Sequence, residues 1–238
     1  MISNKGTNLC HHWGLIKTGK IPVKLNNHNT LVFDCDGVIL DSNKVRAKAF
    51  YNAALPYGEQ HAAALEAYHI LHGGVSRYVK FEILLRDMLG LPVTDDAMKS
   101  LLHAFTTEAT IGLLKCDIAP GLEALRNATP NAKWILVSGA DQQELRDVFA
   151  QRGIAAYFDG GIFGSPSNKD DILQREKASG NLATPGIFFG DSRYDHQAAT
   201  GAGLDFVFVS RWTDMQDWQA YCQEHQIAVI ETLGQPIL

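Results

Sequence analysis

The stretch that decides the fold is Leu31-Val32-Phe33-Asp34-Cys35-Asp36-Gly37-Val38. A short apolar run that ends in acidic residues and a glycine predicts a buried strand leading into a loop. Because side chains alternate along a strand, Asp34 and Asp36 leave the sheet on the same side. Two neighbouring carboxylates repel each other and are costly to bury unless a cation lies between them. A hard, oxygen-seeking ion such as Mg²⁺ meets that need, although a turn or a helix cap also explains an Asp-x-Asp pair taken alone.

Beyond this stretch the sequence changes to a helical pattern. Between about residues 43 and 116, apolar residues recur at three- and four-residue spacing in the stretches 45–55, 60–71, 78–89 and 97–114. Glycine and proline separate these stretches, as expected where helices end. The pattern predicts four helices without a strand. An insert of this size, roughly 70 residues, is large enough for a lid domain.

After Pro120-Gly121 the pattern alternates between strands and helices. Strands are predicted at 134–137, 186–189, 206–209 and 227–230, with helices at 122–127, 142–152, 170–178, 194–200 and 217–224. Such alternation predicts right-handed βαβ units and a parallel sheet, hence an α/β fold. The expected organisation is an N-terminal extension at 1–30, a core at 31–42 and 117–238, and a helical cap at 43–116.

Three further polar clusters are expected at the same edge of the sheet as Asp34, because ligands of open α/β sheets bind at the carboxyl ends of the strands. Ser138 and Gly139 offer a hydroxyl and an amide suited to an anion, and Lys169 offers a point charge for phosphate. Asp191 and Asp195 add two carboxylates at a strand-to-helix turn. Taken singly, each cluster is also explained by helix capping or by a solvated lysine. Their shared order along the chain favours one common site.

Composition narrows the class of protein. The chain has 238 residues, 46% of them hydrophobic and 20% charged, as in globular domains. A net charge of −5 without a basic tract argues against nucleic-acid binding. Because neither a long apolar run nor a signal-peptide pattern is present, no membrane association is expected. The four cysteines form no C-x-x-C pair and are expected to be free thiols in a cytoplasmic protein. The expected oligomeric state is a monomer or a homodimer.

The four clusters together resemble the motifs of the haloacid dehalogenase superfamily of phosphatases. The stretch 31–42 is similar to the first motif, and Val137-Ser138-Gly139, Lys169 and Gly190-Asp191-Ser192-x-x-Asp195 are similar to the second, third and fourth, in the family's order. The resemblance is closest to the phosphoglycolate-phosphatase-like branch, in which a helical cap lies between the first two motifs. It implies a Rossmann-like core with a parallel sheet and an inserted helical cap.

The resemblance also implies a mechanism. Asp34 would attack phosphorus to form an aspartyl-phosphate, and Asp36 would protonate the leaving alcohol and then activate water. Mg²⁺ would be bound by the Asp34 carboxylate, the Asp36 backbone carbonyl and Asp191, with Asp195 supporting it directly or through water. The phosphate-binding groups Ser138, Gly139 and Lys169 would hold the phosphoryl oxygens. The cap would close over the site.

Substrate and reaction type are left open by the motifs. The segment around Gly73-Gly74 loosely resembles relatives that act on sugar phosphates, and Arg77 behind it is a candidate ligand for a substrate anion, although a solvated arginine explains it equally well. The expected substrate is a small phosphorylated metabolite: a sugar phosphate, a sugar-acid phosphate or phosphoglycolate. A phosphomutase, or a non-catalytic module that binds a phosphorylated ligand, are the alternatives. Dehalogenation fits poorly, because it needs neither the metal pair nor an acid at Asp36.

Overall fold

A computed structural model describes residues 25–235, and its centre is a six-stranded parallel sheet. The strand order is β3-β2-β1-β4-β5-β6, so the strand that precedes Asp34 lies in the middle. The predicted α/β class is confirmed. The strands are β1 (Thr30–Phe33), β2 (Lys133–Asp141), β3 (Ile162–Ser165), β4 (Gly186–Gly190), β5 (Asp205–Val209) and β6 (Ala228–Ile230).

Helices cover both faces of the sheet, which explains why β1 is apolar at every position. Leu31 and Phe33 point into one hydrophobic cluster, whereas Val32 points into the other. The first cluster contains residues of α5 (Leu122–Ala128) and α6 (Gln142–Gln151); the second contains residues of α7 (Lys169–Ala178) and α8 (Arg193–Ala202). A further helix, α9 (Trp218–Glu224), precedes β6. Burial on both faces is typical of parallel sheets.

The segment between β1 and β2 is helical, in agreement with the spacing of its apolar residues. It contains α1 (Asn43–Ala54), α2 (Glu59–Leu71), α3 (Arg77–Ile83), a π-helical turn (Leu84–Met88) and α4 (Asp95–Leu113). The rings of Phe50 and Phe105 join α1 to α4, with centroids 4.4 Å apart. Thr94 caps α4 by accepting a hydrogen bond from the backbone amide of Ala97. That these helices form a separate cap domain stays a prediction.

Two local features differ from the sequence analysis. Strand β3 is absent from the predicted elements, because its four residues contain only two large apolar side chains and follow two glycines. It nevertheless pairs with β2, with Ile162 opposite Leu136. At the other end, β1 begins at Thr30, and Leu25 is already buried in the first cluster, so the core extends into the predicted extension. Residues 1–24 of that extension lie outside the described residues.

Two further observations concern the cysteines and the helix lengths of the described residues. Cys35, Cys116 and Cys222 are free, whereas Cys10 lies outside the described residues. Within 25–235, none of the helices combines the length and the apolar character needed to cross a bilayer.

Candidate active site

The predicted site residues meet at the carboxyl ends of the three central strands. Asp34 follows β1, Ser138 lies in β2 and Asp191 follows β4. Since β2 and β4 both flank β1, these residues face one cavity of about 680 Å³ between the sheet edge and the helices of the insert. A cavity of this size suits a small molecule. Its lining includes six of the predicted site residues: Asp34, Asp36, Arg77, Ser138, Gly139 and Asp191.

Lys169 and Asp195 lie beneath the cavity, in contact with Asp34. The Lys169 Nζ atom is 2.8 Å from Asp34 Oδ1 and 2.5 Å from Asp195 Oδ1, and all three side chains are buried. Burial lowers the pKa of Lys169, but the charges of Asp195 and Asp34 outweigh it and raise the pKa above its ordinary value. Lys169 is therefore a fixed cation at the base of the site.

Asp34, Asp191 and Asp195 form a cluster in which one oxygen of each lies within 4.8 Å of the others. Desolvation raises the pKa of Asp34 to about 7, and it raises that of Asp191 well above the usual range, with the charge of Asp195 contributing to both. Desolvation is the largest cause, and charge crowding adds to it because three carboxylates share the ammonium of Lys169. The cluster therefore lacks positive charge.

The donor set fits Mg²⁺. Asp34 Oδ1 is buried and, although Lys169 is close, it accepts no well-aligned hydrogen bond from the described residues. Among residues 25–235, Asn43 Nδ2 is the one side-chain donor to Asp191 Oδ2, at 3.1 Å. Buried carboxylate oxygens with spare acceptor capacity are what a hard divalent cation binds. Asp195 differs, because both of its oxygens already accept hydrogen bonds. Oδ1 accepts one from Lys169, and Oδ2 accepts them from the backbone amides of Asp191 and Ser192 and from the Ser192 hydroxyl.

Gly37 allows Asp191 to approach β1. Its φ of +79° is unfavourable for other residues, and a Cβ atom there would lie 2.1 Å from Asp191 Oδ2. The turn it forms is closed by a hydrogen bond from Gly37 N to Leu40 O. A glycine is thus required for the first and fourth clusters to meet.

Asp36 points toward the helices of the insert. Its Oδ1 atom accepts hydrogen bonds from Ser42 Oγ at 2.5 Å and from Arg46 Nε at 3.0 Å. Burial raises the pKa of Asp36, but Arg46 and Ser42 outweigh it and hold the pKa below its ordinary value. Asp36 is therefore held as a carboxylate, next to the cavity that it lines.

The Ser138–Gly139 turn touches the insert directly. Ser138 is buried, and its Oγ accepts a hydrogen bond from the backbone amide of Ala140 at 3.1 Å. A Cβ atom on Gly139 would lie 2.0 Å from Gly74 O, so the loop between α2 and α3 rests on the strand end. Only glycine at position 139 permits that contact.

Arg77 is paired with a core residue rather than free in the cavity. Its Nη1 and Nη2 atoms donate to both oxygens of Glu144, at 3.1 and 2.5 Å, and Nη1 also donates to Thr106 Oγ1. Arg46 Nη1 donates to Glu144 Oε2 at 2.5 Å, while Arg46 Nε binds Asp36. The pairing links Arg77 to Asp36 through Glu144 and Arg46. Its predicted role as a ligand for a substrate anion stays a prediction.

Sequence analysis missed Arg46, Glu144 and a second buried basic residue, Lys80. Lys80 lines the cavity, is 1% exposed, and donates to His69 Nδ1 at 2.8 Å. A signal was present for two of them. Arg46 shares a helix face with Phe50, four residues on, and Lys80 follows Arg77 by three residues on a buried face. Because lysine and arginine are rarely buried unless they are paired, a basic residue on an apolar helix face indicates a paired or functional cation.

The comparisons with known proteins agree with this architecture. A family model for haloacid dehalogenase-like hydrolases matches residues 28–203. Similar solved structures include a haloacid dehalogenase-type hydrolase of family IA, variant 3, from Entamoeba histolytica (17% identity, TM-score 0.68, 87% of this chain and 95% of that one).

A second is a predicted phosphoglycolate phosphatase from Haemophilus somnus (15% identity, TM-score 0.66, 89% of this chain and 97% of that one). A third is a β-phosphoglucomutase from Clostridium difficile (20% identity, TM-score 0.65, 87% of this chain and 92% of that one). No curated protein matches the chain. The structures share the fold, and the family model spans most of the chain. The chain therefore belongs to the haloacid dehalogenase-like hydrolases.

Proposed function

We propose that the chain is a Mg²⁺-dependent phosphatase that hydrolyses a small phosphomonoester through an aspartyl-phosphate. One observation carries the proposal: the buried Asp34 contacts Lys169, clusters with two further carboxylates and lines a cavity of small-molecule size. A carboxylate nucleophile divides a difficult phosphoryl displacement into two easier steps. The site provides that carboxylate, a fixed cation and an oxygen cluster for a metal.

Each residue has a distinct task in this proposal. Asp34 attacks phosphorus, and Lys169 holds a phosphoryl oxygen where charge spreads in the transition state. Asp34, Asp191 and the Asp36 backbone carbonyl would hold Mg²⁺, which neutralises the charge of the carboxylate and phosphate that must meet. Asp195, whose oxygens are taken, supports the site by fixing Lys169 and the α8 turn.

Asp36 serves as the acid and base. Its carboxylate form, held by Arg46 and Ser42, is the form that removes a proton from water when the aspartyl-phosphate is hydrolysed. For the first step it must carry a proton to give to the leaving alcohol. Ser138 and the Gly139 amide bind the remaining phosphoryl oxygens, at the end of β2.

The insert acts as a cap that excludes water from the reaction. Its α2–α3 loop contacts Gly139, and Tyr78 on α3 donates a hydrogen bond to Asp141 Oδ2 at 3.0 Å. These contacts join the cap to the β2 edge of the core. Closure of such a lid commits a bound ester to hydrolysis.

The test is phosphate release with and without Mg²⁺, in the original chain and in Asp34→Asn. We expect Asp34→Asn to lower turnover by about a thousandfold or more, since the amide is not a nucleophile. Asp96→Asn, which changes an exposed carboxylate of α4 outside the cavity, is the matched control and should retain full activity. Near-original turnover in Asp34→Asn would refute the covalent mechanism, and a chain that releases phosphate from no ester would leave the binding-module alternative.

A phosphomutase is the second candidate, because basic side chains on the helices of the insert also line the cavity and suit a second phosphate. These are Arg46, Arg77 and Lys80. The two reactions share the nucleophile and differ in where the phosphoryl group goes. Accumulation of an isomeric sugar phosphate without inorganic phosphate would identify a mutase.

A further inference from the structure

The cavity has a second charged region on the side of the insert, which we call the basic end. It comprises the cations Arg46, Arg77 and Lys80 and the carboxylates Asp36 and Glu144. The two arginines and the two carboxylates are joined in one chain of ion pairs. Lys80 stands outside that chain. The described residues of the basic end therefore hold one formal positive charge more than negative charges.

Lys80 is the cation that lacks a partner. Within residues 25–235 no carboxylate lies at ion-pair distance from its ammonium, which contacts His69 Nδ1 at 2.8 Å and lies 5.3 Å from the centre of the Phe50 ring. Burial lowers the pKa of Lys80 to about 7 and that of His69 well below its usual range. A buried ammonium without a counter-charge is costly, which favours a ligand that completes the pair.

Arg46 supplies an independent second observation. Its side chain lines the cavity and is buried, yet Nη2 has no hydrogen-bond partner in the described part of the chain. Nε and Nη1 are already used by Asp36 and Glu144. Unsatisfied buried donors are rare in proteins, and they mark places where a ligand or water completes the bonding.

We propose that Lys80 and the free Nη2 of Arg46 bind a second anionic group, a carboxylate or a second phosphate, on the leaving-group side of the substrate. The proposal rests on the proposed function, which places the reacting phosphoryl group at Asp34 and Lys169. One anion balances the one surplus cation. The aromatic rings of Phe50 and Phe105 line the same cavity and suit the carbon skeleton between the two anions.

This assignment makes Lys80, rather than Arg77, the residue that distinguishes substrates. Both terminal nitrogens of Arg77 are bound to Glu144, and its guanidinium lies 4.5 Å from the centre of the Phe105 ring. Arg77 thus holds the wall of the site in place. Lys80 has no carboxylate partner among the described residues, so its charge is available to an anionic ligand.

The first test measures binding by calorimetry with Mg²⁺ present, in Asp34→Asn, which does not turn over its ligand and lacks one of the carboxylates that repel a phosphate. Three probes on one three-carbon skeleton are compared: glycerol 3-phosphate, with a neutral end; 3-phosphoglycerate, with a carboxylate; and the bisphosphate of propanediol. We expect at least one of the two doubly anionic probes to bind about 10- to 100-fold more tightly than the neutral one, as for a charged hydrogen bond. The better of the two identifies the anion.

Lys80→Met then tests the residue itself, in the same Asp34→Asn background. It should remove the preference for the anionic probe while changing the affinity for glycerol 3-phosphate by less than about threefold. Lys99→Met, at an exposed position of α4, is the matched control and should keep the preference.

Equal binding of all three probes, or an equal loss on all three in Lys80→Met, would overturn the proposal. If Lys80→Met does not fold, the comparison of the three probes in the parent protein still decides. Failure of the proposed function is a separate result: the chain with Asp34 intact would release no phosphate, whereas the preference in binding would remain.

Discussion

Replacing Lys80 with methionine should stabilise the protein while removing the charge that we assign to substrate recognition. Methionine preserves the length and apolar stem of the side chain and removes the buried ammonium. Lys80 is 1% exposed, and the charged and titratable groups that influence it are Asp36, Arg46 and His69. Residues kept for binding are often unfavourable for stability, so the change should raise the free energy of unfolding.

The magnitude follows from the pKa of Lys80, which burial lowers from 10.5 to about 7. Since one pKa unit corresponds to about 1.4 kcal/mol, placing the amine in this site costs about 4 kcal/mol at pH 7. The variant loses the hydrogen bond to His69, and an unsatisfied ring nitrogen costs about 1–3 kcal/mol. The net expectation is a gain of about 1–3 kcal/mol in the free energy of unfolding.

The difference in stability between the two proteins should depend on pH. Between pH 7 and 10.5 the unfolded amine holds a proton that the folded one has lost, so raising the pH stabilises the original protein. The methionine variant lacks this contribution. Its advantage should therefore shrink by about 2 kcal/mol between about pH 7 and pH 9.

Equilibrium urea unfolding at both pH values measures this difference. Lys99→Met is the control, because Lys99 is exposed and its replacement removes no buried charge. The reasoning would be refuted if Lys80→Met were less stable than the original chain at both pH values. That result would show that the folded protein already provides a counter-charge for Lys80.

Three other predictions concern the metal site and the contact between Gly139 and the insert. Mg²⁺ at about 100 times its Kd should raise the free energy of unfolding by about 2.7 kcal/mol, which a thermal melt detects as a higher melting temperature. Asp191→Asn should abolish the rise. Because burial raises the pKa of Asp34 to about 7, Mg²⁺ affinity should increase as the pH rises through that value, and titration calorimetry measures it; a pH-independent affinity would contradict this. Gly139→Ala should lower kcat/KM by about tenfold or more, because its Cβ would lie 2.0 Å from Gly74 O and displace the cap loop. Unchanged kinetics would show that this contact is not needed.

The fold and the cluster around Asp34 were predictable because they depend on local patterns. Apolar periodicity indicated the helices of the insert, and glycine and proline indicated where they end. The order of strands and helices predicted a parallel sheet, whose carboxyl edge brings Asp34, Ser138 and Asp191 together. No distance had to be known for that inference. Strand β3 escaped it because a four-residue strand provides too little periodicity.

The basic end escaped sequence analysis because its pairs join distant parts of the chain. Arg46 and Glu144 are 98 positions apart, and Arg77 and Glu144 are 67 apart. Taken singly, these charged residues are of types that usually lie on a solvated helix surface. Only tertiary packing shows that their side chains are buried. The sequence places Arg77 near the site, but not the carboxylate that binds it.

The two ends of the cavity carry opposite formal charges, and this determines how a substrate is oriented. Around Asp34, three carboxylates face one ammonium, whereas the basic end has one cation in excess. Without a divalent cation, a phosphate is repelled from Asp34 and attracted to the basic end. A divalent cation brings the formal charge around Asp34 to zero, so a phosphate is no longer repelled from the end that holds the proposed nucleophile. In the proposed mechanism we therefore expect metal binding to precede productive substrate binding, and a substrate with two anions to occupy both ends with its phosphoryl group facing Asp34.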